Sequence, residues 1–376
     1  MCVGLAHSGE GAHLMNERVH NFGPGPATLP LEVLEQTARD IINFDGCGIG
    51  LLEVSHRSPE FLAVIETAEH LLRELMQIPD NYKVLFLQGG ASSQFFMVPM
   101  NLLGDGKKAT YLNTGTWSKK SIREAQLFGT VDVPFSSEEQ HFNRVPADDE
   151  YQVSPDSEYL YFVSNNTIYG TQFQDMPTAD TMLVSDMSSD ILSRPVDVSS
   201  FGLIFAGAQK NLGPAGVTIV IIREDLLDRS PAAIPTMLQY RTHADKGSMF
   251  NTPPCSAVYV VCKVLQWLKD LGGVEAMHKR NREKANLIYQ VIDSGDYYRG
   301  HAETSSRSLM NVSFNLPTPE LEAQFIAEAA AIGLKGLKGH RSIGGCRASI
   351  YNAFSREGVV ELVSFMERFA AENPAS

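Results

Sequence analysis

Five short apolar runs limit most strongly what this chain can become: KVLFLQ, ATYLNTG, YLYFVS, TMLVSD and GLIFA. They are apolar at consecutive positions rather than alternate ones, turn residues end them, and helix-like stretches follow several. A strand wetted on one face alternates apolar with polar side chains, whereas a strand covered on both faces does not. The runs therefore predict a largely parallel sheet buried between layers of helix, the α/β class. GVTIVIIRED adds a further strand, joined hairpin-fashion through GPAG.

The flanking segments predict the helical layers. Ordered structure is expected to begin at NFGPGPATLP, a shaped loop before an amphipathic helix from Leu31 to about Phe44. A second helix follows Pro59, with Phe61, Ile65, Leu72 and Leu75 near helical spacing, and stops before Pro79. Helix is expected again from Ser256 to Leu271, broken by Gly272-Gly273, and onward to about Ile292. The remainder reads as a compact α+β unit: strand MNVSFNL, helix PELEAQFIAEAAA, strand within GHRSIGGCRASIYN, and helix GVVELVSFMERFAAE. At 376 residues the chain has room for two or three domains. We expect an extension over residues 1–15 that is disordered, a large cofactor-binding domain over 16–271 and a small α+β domain over 272–376, with 16–35 packing on the small one.

Charge narrows the class of partner. With 31 Lys and Arg against 44 Asp and Glu the net charge is −13, which opposes attraction to nucleic acid or anionic membranes. The five cysteines include no CxxC and no Cys/His cluster, so neither a disulfide framework nor a metal site is expected. No apolar run reaches membrane-spanning length and no signal peptide is evident, so the expected location is the cytoplasm.

Three windows could carry chemistry. In FGLIFAGAQKNLGPAG a buried strand delivers Gln209 and Lys210 into a turn of small residues, and lysine is rarely buried without a reason. Lys210 could condense with a carbonyl, with small neighbours leaving room for a flat ring; a solvated loop lysine is the alternative. Asp186 ends the strand in VSDMSSD, 24 residues earlier, and could share the same sheet edge, where its carboxylate could keep a pyridine nitrogen protonated. It could equally cap the next helix. In LQGGASSQF a strand runs into glycines and a helix start, a plausible phosphate cradle although it is neither a P-loop nor GxGxxG. Trp117 could stack on a planar ring or fill core, and Thr167 could donate a hydroxyl to a ring oxygen or shape a turn. The pairs His56-Arg57 and His340-Arg341, with Arg347, could hold a substrate anionic at both ends, or each could be a surface ion-pair partner.

Together NFGPGP, SHRS, LQGGASSQF, TGTWS, SDMSSD, AGAQKNLGPAG, FNTPP and GHRSIGGCRAS occur in the order and with about the spacing found in phosphoserine aminotransferases. The chain resembles that family from about Asn21 to its C-terminus. The resemblance implies a homodimeric pyridoxal-phosphate enzyme of fold type I, the aspartate aminotransferase-like class V group, that makes O-phosphoserine from 3-phosphohydroxypyruvate with glutamate as donor. By the same resemblance Lys210 is the Schiff-base lysine, Asp186 the pyridinium partner, Trp117 the stacking aromatic and Thr167 a ligand of the ring hydroxyl. Ala91, Ser92 and Gln209 match cofactor-phosphate contacts, and Asn251 and Thr252 match a pair reaching that phosphate from the neighbouring subunit. Arg347 matches the group gripping the amino-acid carboxylate, and His56, Arg57, His340 and Arg341 match the distal site. Ser92 stands where some relatives have arginine. Rival readings are an alanine–glyoxylate aminotransferase, a cysteine desulfurase or a catalytically silent protein of the same scaffold; the two His-Arg pairs favour the phosphorylated substrate. A second role in pyridoxine synthesis, known in some bacterial relatives, is not decided by sequence.

Overall fold

The computed structural model describes residues 18–104, 106–231 and 233–374, so the extension expected over residues 1–15 lies outside the described residues. The chain is α/β with a mostly parallel central sheet. After β1 (His20–Asn21) and the helices α1 (Leu31–Ile42) and α2 (Pro59–Met76), the sheet starts with β2 (Tyr82–Leu87). It continues through α3 (Gly90–Leu102), β3 (Lys108–Asn113), α4 (Thr116–Ala125), β4 (Thr130–Ser136) and β5 (Ser157–Val163). A small hairpin, β6 (Asn165–Asn166) with β7 (Thr171–Gln172), precedes β8 (Met182–Asp186), β9 (Phe201–Gly207) and β10 (Thr218–Arg223). Strand order is β2-β10-β9-β8-β5-β3-β4; the pairs from β9 to β4 are parallel, and β10 is antiparallel to both its neighbours. GVTIVIIRED thus does return as a hairpin, slotted between β9 and β2.

The apolar runs are continuous because successive side chains enter different layers. In β5, Leu160 and Phe162 join the core beneath α2 and the later helix α6 (Cys255–Asp270), with Phe61, Ile65, Val258 and Val261. Tyr159, Tyr161 and Val163 of the same strand join the opposite core, with Phe95 and Val98 of α3 and Tyr240 of the short α5 (Tyr240–Ala244). Cutting such a residue back, Phe162→Ala for instance, costs about 3–5 kcal/mol in cavity and transfer terms.

A third core lies toward the C-terminus. It joins the later part of α7 (Gly273–Asp293) to β11 (Arg299–Gly300), β12 (Asn311–Asn315), α8 (Pro319–Ala331), β13 (Leu334–Lys335), β14 (Cys346–Ser349) and α9 (Arg356–Glu372). Phe22 is buried in this core, and β1 pairs in parallel with β13. Val274 and Met277 of α7 pack instead with the sheet, so one helix serves both cores.

Two local expectations need correction. Helix α1 ends at Ile42 rather than near Phe44, because Asn43 leaves helical geometry at φ −149°. The strand β4 was not foreseen: it pairs only with β3 at the sheet edge, only Phe135 of its residues is buried, and it contains Pro134. Edge strands tolerate proline and lack the apolar continuity that betrays inner ones.

Candidate active site

Parallel strands end on one side of a sheet, and here that edge collects the unusual residues. β2 leads into the Gly89-Gly90 turn before α3, β3 into Trp117 in the first turn of α4, and β5 into Asn165 and Thr167. β8 terminates on Asp186, and β9 gives way to Gln209 and Lys210. Ala91, Ser92, Trp117, Asp186, Gln209 and Lys210 line one cavity there, joined by Asn165, Ser188 and Ser189.

Lys210 is the ionisable amine of this arrangement. Its Nζ donates to Thr167 Oγ1 at 2.7 Å and lies 5.6 Å from the centre of the Trp117 ring. Burial pulls its pKa down to about 8; Asp186 and Asp190 resist that shift, and Arg347 adds to it. Desolvation disfavours a charged amine, so the neutral nucleophilic form is within reach near physiological pH.

Asp186 is 5% exposed, and burial raises its pKa against the opposing pull of Ser188 and Lys210. Ser188 donates its N–H (2.9 Å) and its hydroxyl (2.6 Å) to Asp186 Oδ1, and the same hydroxyl accepts from Gly207 N–H at 3.0 Å. The ends of β8 and β9 are thereby tied, which fixes the acid relative to the lysine.

Arg347, on β14, reaches this edge from the C-terminal unit: Nη1 donates to the Thr167 carbonyl at 3.1 Å. It is 5% exposed, and its Nε has no partner among the described residues. Burial lowers its pKa, yet a guanidinium stays charged, so an unpaired donor here calls for an anion. His340 sits nearby; burial, then Arg347, Arg341 and Lys120, depress its pKa.

The other candidates are not brought to the cavity within this chain. Asn251 lines a separate hollow behind the glycine turn, and the Thr252 carbonyl accepts from Gln88 Nε2 at 3.4 Å. His56 and Arg57 lie in the loop before α2, with Arg57 exposed, and neither lines the Lys210 cavity.

Sequence reasoning overlooked several participants. Ser188 and Ser189 lay inside the SDMSSD window, and an Asp followed two residues later by Ser is a local signal for such a turn. Asn165 gave none, since its side-chain partners Ser189 and Asn311 are distant in sequence, at 2.9 and 2.8 Å. The NFGPGP loop proves to lie against the lysine. Ala27 N–H bonds the Gln209 carbonyl at 2.9 Å, and a Cβ on Gly25, whose φ is +139°, would come within 3.2 Å of Lys210 Cγ.

These residues fit a phosphorylated pyridine cofactor. The start of α3 has no side-chain cap, so its first N–H groups and positive dipole end are free for a phosphate at Ala91 and Ser92. The buried Trp117 Nε1 likewise lacks a partner among the described residues. A buried acid fixed beside a lysine of depressed pKa completes the donor set that pyridoxal phosphate needs.

Comparison with known proteins agrees with this geometry. The sequence profile of aminotransferase class-V matches residues 19–362. The phosphoserine aminotransferase of Desulfotalea psychrophila is 73% identical over 361 residues, covering 96% of this chain and 100% of the relative. A solved phosphoserine aminotransferase from Bacillus circulans subsp. alkalophilus matches with TM-score 0.93 and 48% identity, covering 95% of this chain and 99% of that one. The PLP-bound phosphoserine aminotransferase from Trichomonas vaginalis matches with TM-score 0.89 and 39% identity, covering 93% and 100%. A lysine, an acid and an uncapped helix start at one sheet edge, in a chain this similar to those enzymes over nearly its whole length, place it in a single family: it belongs to the class-V aminotransferases, among the phosphoserine aminotransferases.

Proposed function

We propose that the chain uses pyridoxal phosphate to transfer an amino group reversibly from L-glutamate to 3-phosphohydroxypyruvate, yielding O-phospho-L-serine and 2-oxoglutarate for L-serine synthesis. The observation that carries this reading is Lys210, its pKa drawn down to about 8, in one cavity with Asp186 and in reach of the buried Arg347 through Thr167. When bound, the cofactor supplies a carbonyl carbon that takes up the amino group and a cationic ring that withdraws electrons from the substrate's Cα. Lys210, as the amine in reach of the substrate's Cα, would be the acid–base group that takes up and releases the proton there. Asp186 would hold the proton on the ring nitrogen. Trp117 would stack on the ring, and Thr167 would bond the ring hydroxyl. Ala91, Ser92 and Gln209 would bind the cofactor phosphate, with Asn251 and Thr252 donated by a second subunit of a homodimer.

Arg347 takes the substrate carboxylate, with its unpaired Nε as an available donor. His340 and Arg341, with His56 and Arg57 from the partner copy, receive the distal phosphate or the side-chain carboxylate of glutamate. The enzyme acts in the cytoplasm, with a large unit carrying Lys210 and a smaller one carrying Arg347. Bonds to charged partners are worth roughly 1.5–3 kcal/mol, so Arg57→Met and Arg341→Met are each expected to lower kcat/KM for O-phospho-L-serine about 10- to 100-fold. L-Alanine, whose methyl group does not reach the distal site, should lose far less. Equal losses on both substrates would move the distal site elsewhere and favour a different aminotransferase specificity.

A further inference from the structure

Some cations of this acidic chain are paired with carboxylates: Lys119 meets Glu138 at 2.6 Å, Arg223 meets Asp225 at 2.6 Å and Arg307 meets Asp293 at 2.6 Å. Lys120, the neighbour of Lys119 on α4, is one of those without such a partner, and its place beside Trp117 sets it apart. It is exposed, and no carboxylate among the described residues lies within 4.0 Å of its ammonium. Its Nζ instead stands 4.7 Å from the centre of the Trp117 ring. That contact keeps the side chain against Trp117, and Trp117 itself lines the Lys210 cavity.

The turn at 340–344 closes on the same place. Ile343 and Trp117 pack on one small apolar cluster of Phe142, Ile168 and Tyr169. His340 feels the positive fields of Arg347, Arg341 and Lys120, and no carboxylate counters them. Repulsion among like charges makes such a gathering unfavourable unless an anion settles between them.

We propose that Lys120 is a specificity-determining binding residue: its ammonium joins His340 and Arg341 around the substrate's distal anion and favours a dianionic phosphate over a carboxylate. The assignment rests on the amino-transfer reading given above. A dianion gains about twice what a monoanion gains from one added positive charge at equal distance, so Lys120 separates the two substrates that must share the distal site. An exposed ammonium acts through screened attraction, so the effect is moderate and weakens with added salt.

The test compares the wild-type holoenzyme with Lys120→Met, Lys120→Gln and Lys120→Arg. KM and kcat are measured for O-phospho-L-serine and for L-glutamate, and the Ki of inorganic phosphate against L-glutamate turnover. We expect both neutral variants to raise KM for O-phospho-L-serine about 5- to 20-fold and KM for L-glutamate about 2- to 4-fold, with kcat changed less than KM. The Ki of inorganic phosphate should rise in step with the first value, and Lys120→Arg should restore most of both. If Lys120 serves only to brace Trp117, the two substrates suffer equally and the phosphate Ki does not move, which overturns the proposal; so does a neutral variant indistinguishable from wild type. Should the wild-type enzyme itself fail to turn over O-phospho-L-serine, the amino-transfer reading falls, and the inorganic-phosphate Ki still decides whether Lys120 binds phosphate.

Discussion

Lys210 owes its chemistry to where β9 leaves it. An amine with a solvated pKa near 10.4 is almost wholly protonated at neutral pH, while one brought down to about 8 by burial is neutral in a useful fraction. The direction follows from the charge: burial disfavours the ammonium, so the free amine appears at lower pH than in water. Cofactor recombination with the apoenzyme should therefore accelerate as pH rises and level off just above about 8, with no further rise toward 10.4. Lys210→Ala should lower transamination by at least about 10²–10⁴-fold and abolish borohydride labelling of the chain, while circular dichroism stays unchanged. Near-normal turnover, or a label on another lysine, would transfer the role away from Lys210. The apolar runs drew attention to Lys210 and Asp186, each just beyond a strand, but left a loop lysine and a helix cap open, as they left Trp117 open between ring stacking and core; the roles came from the family resemblance. Sequence alone could not single out Asn165, since an asparagine after a strand is ordinary and its side-chain partners, Ser189, Ser308 and Asn311, are distant in sequence.

At the scale of elements, the inner strands were legible because two-sided burial writes an unbroken apolar run, as Tyr159 to Val163 shows by feeding two cores in turn. The strand β4 was illegible for the converse reason, since most of it is exposed at an edge. The NFGPGP loop was legible as a shaped turn, yet its position against Lys210 was not, because nothing local records a contact spanning almost two hundred residues. That contact makes the loop testable. In Gly25→Val the branched side chain meets a φ of +139° and a Cβ position 3.2 Å from Lys210 Cγ. Strain of about 1–3 kcal/mol should lower Tm by about 1–4 °C and shift the pH midpoint of recombination, because the lysine must move. An unchanged Tm and midpoint would show that the loop does not press on the lysine.

For the whole molecule, the unassembled part of the site is informative. Arg57 and His56 stand outside the Lys210 cavity, and the segment leading to them exposes Ile42 at 80% and Leu52 at 68%. Apolar side chains so open to water, next to candidate substrate ligands, are what a shared subunit interface would cover. Light scattering should give twice the chain's mass, and an active, cofactor-saturated monomer would contradict the shared-site arrangement. The net charge of −13 is no obstacle, since interface cores are depleted of charge. The central claim is amino transfer to and from a phosphorylated three-carbon substrate, and it is tested most directly by a coupled assay of the wild-type enzyme. O-Phospho-L-serine with 2-oxoglutarate would be set beside L-serine and L-alanine with the same acceptor. The account predicts a kcat/KM for O-phospho-L-serine at least about 100-fold above either, since two or more charge-assisted bonds are lost without the phosphate; equal rates, or a preference for L-alanine, would contradict it.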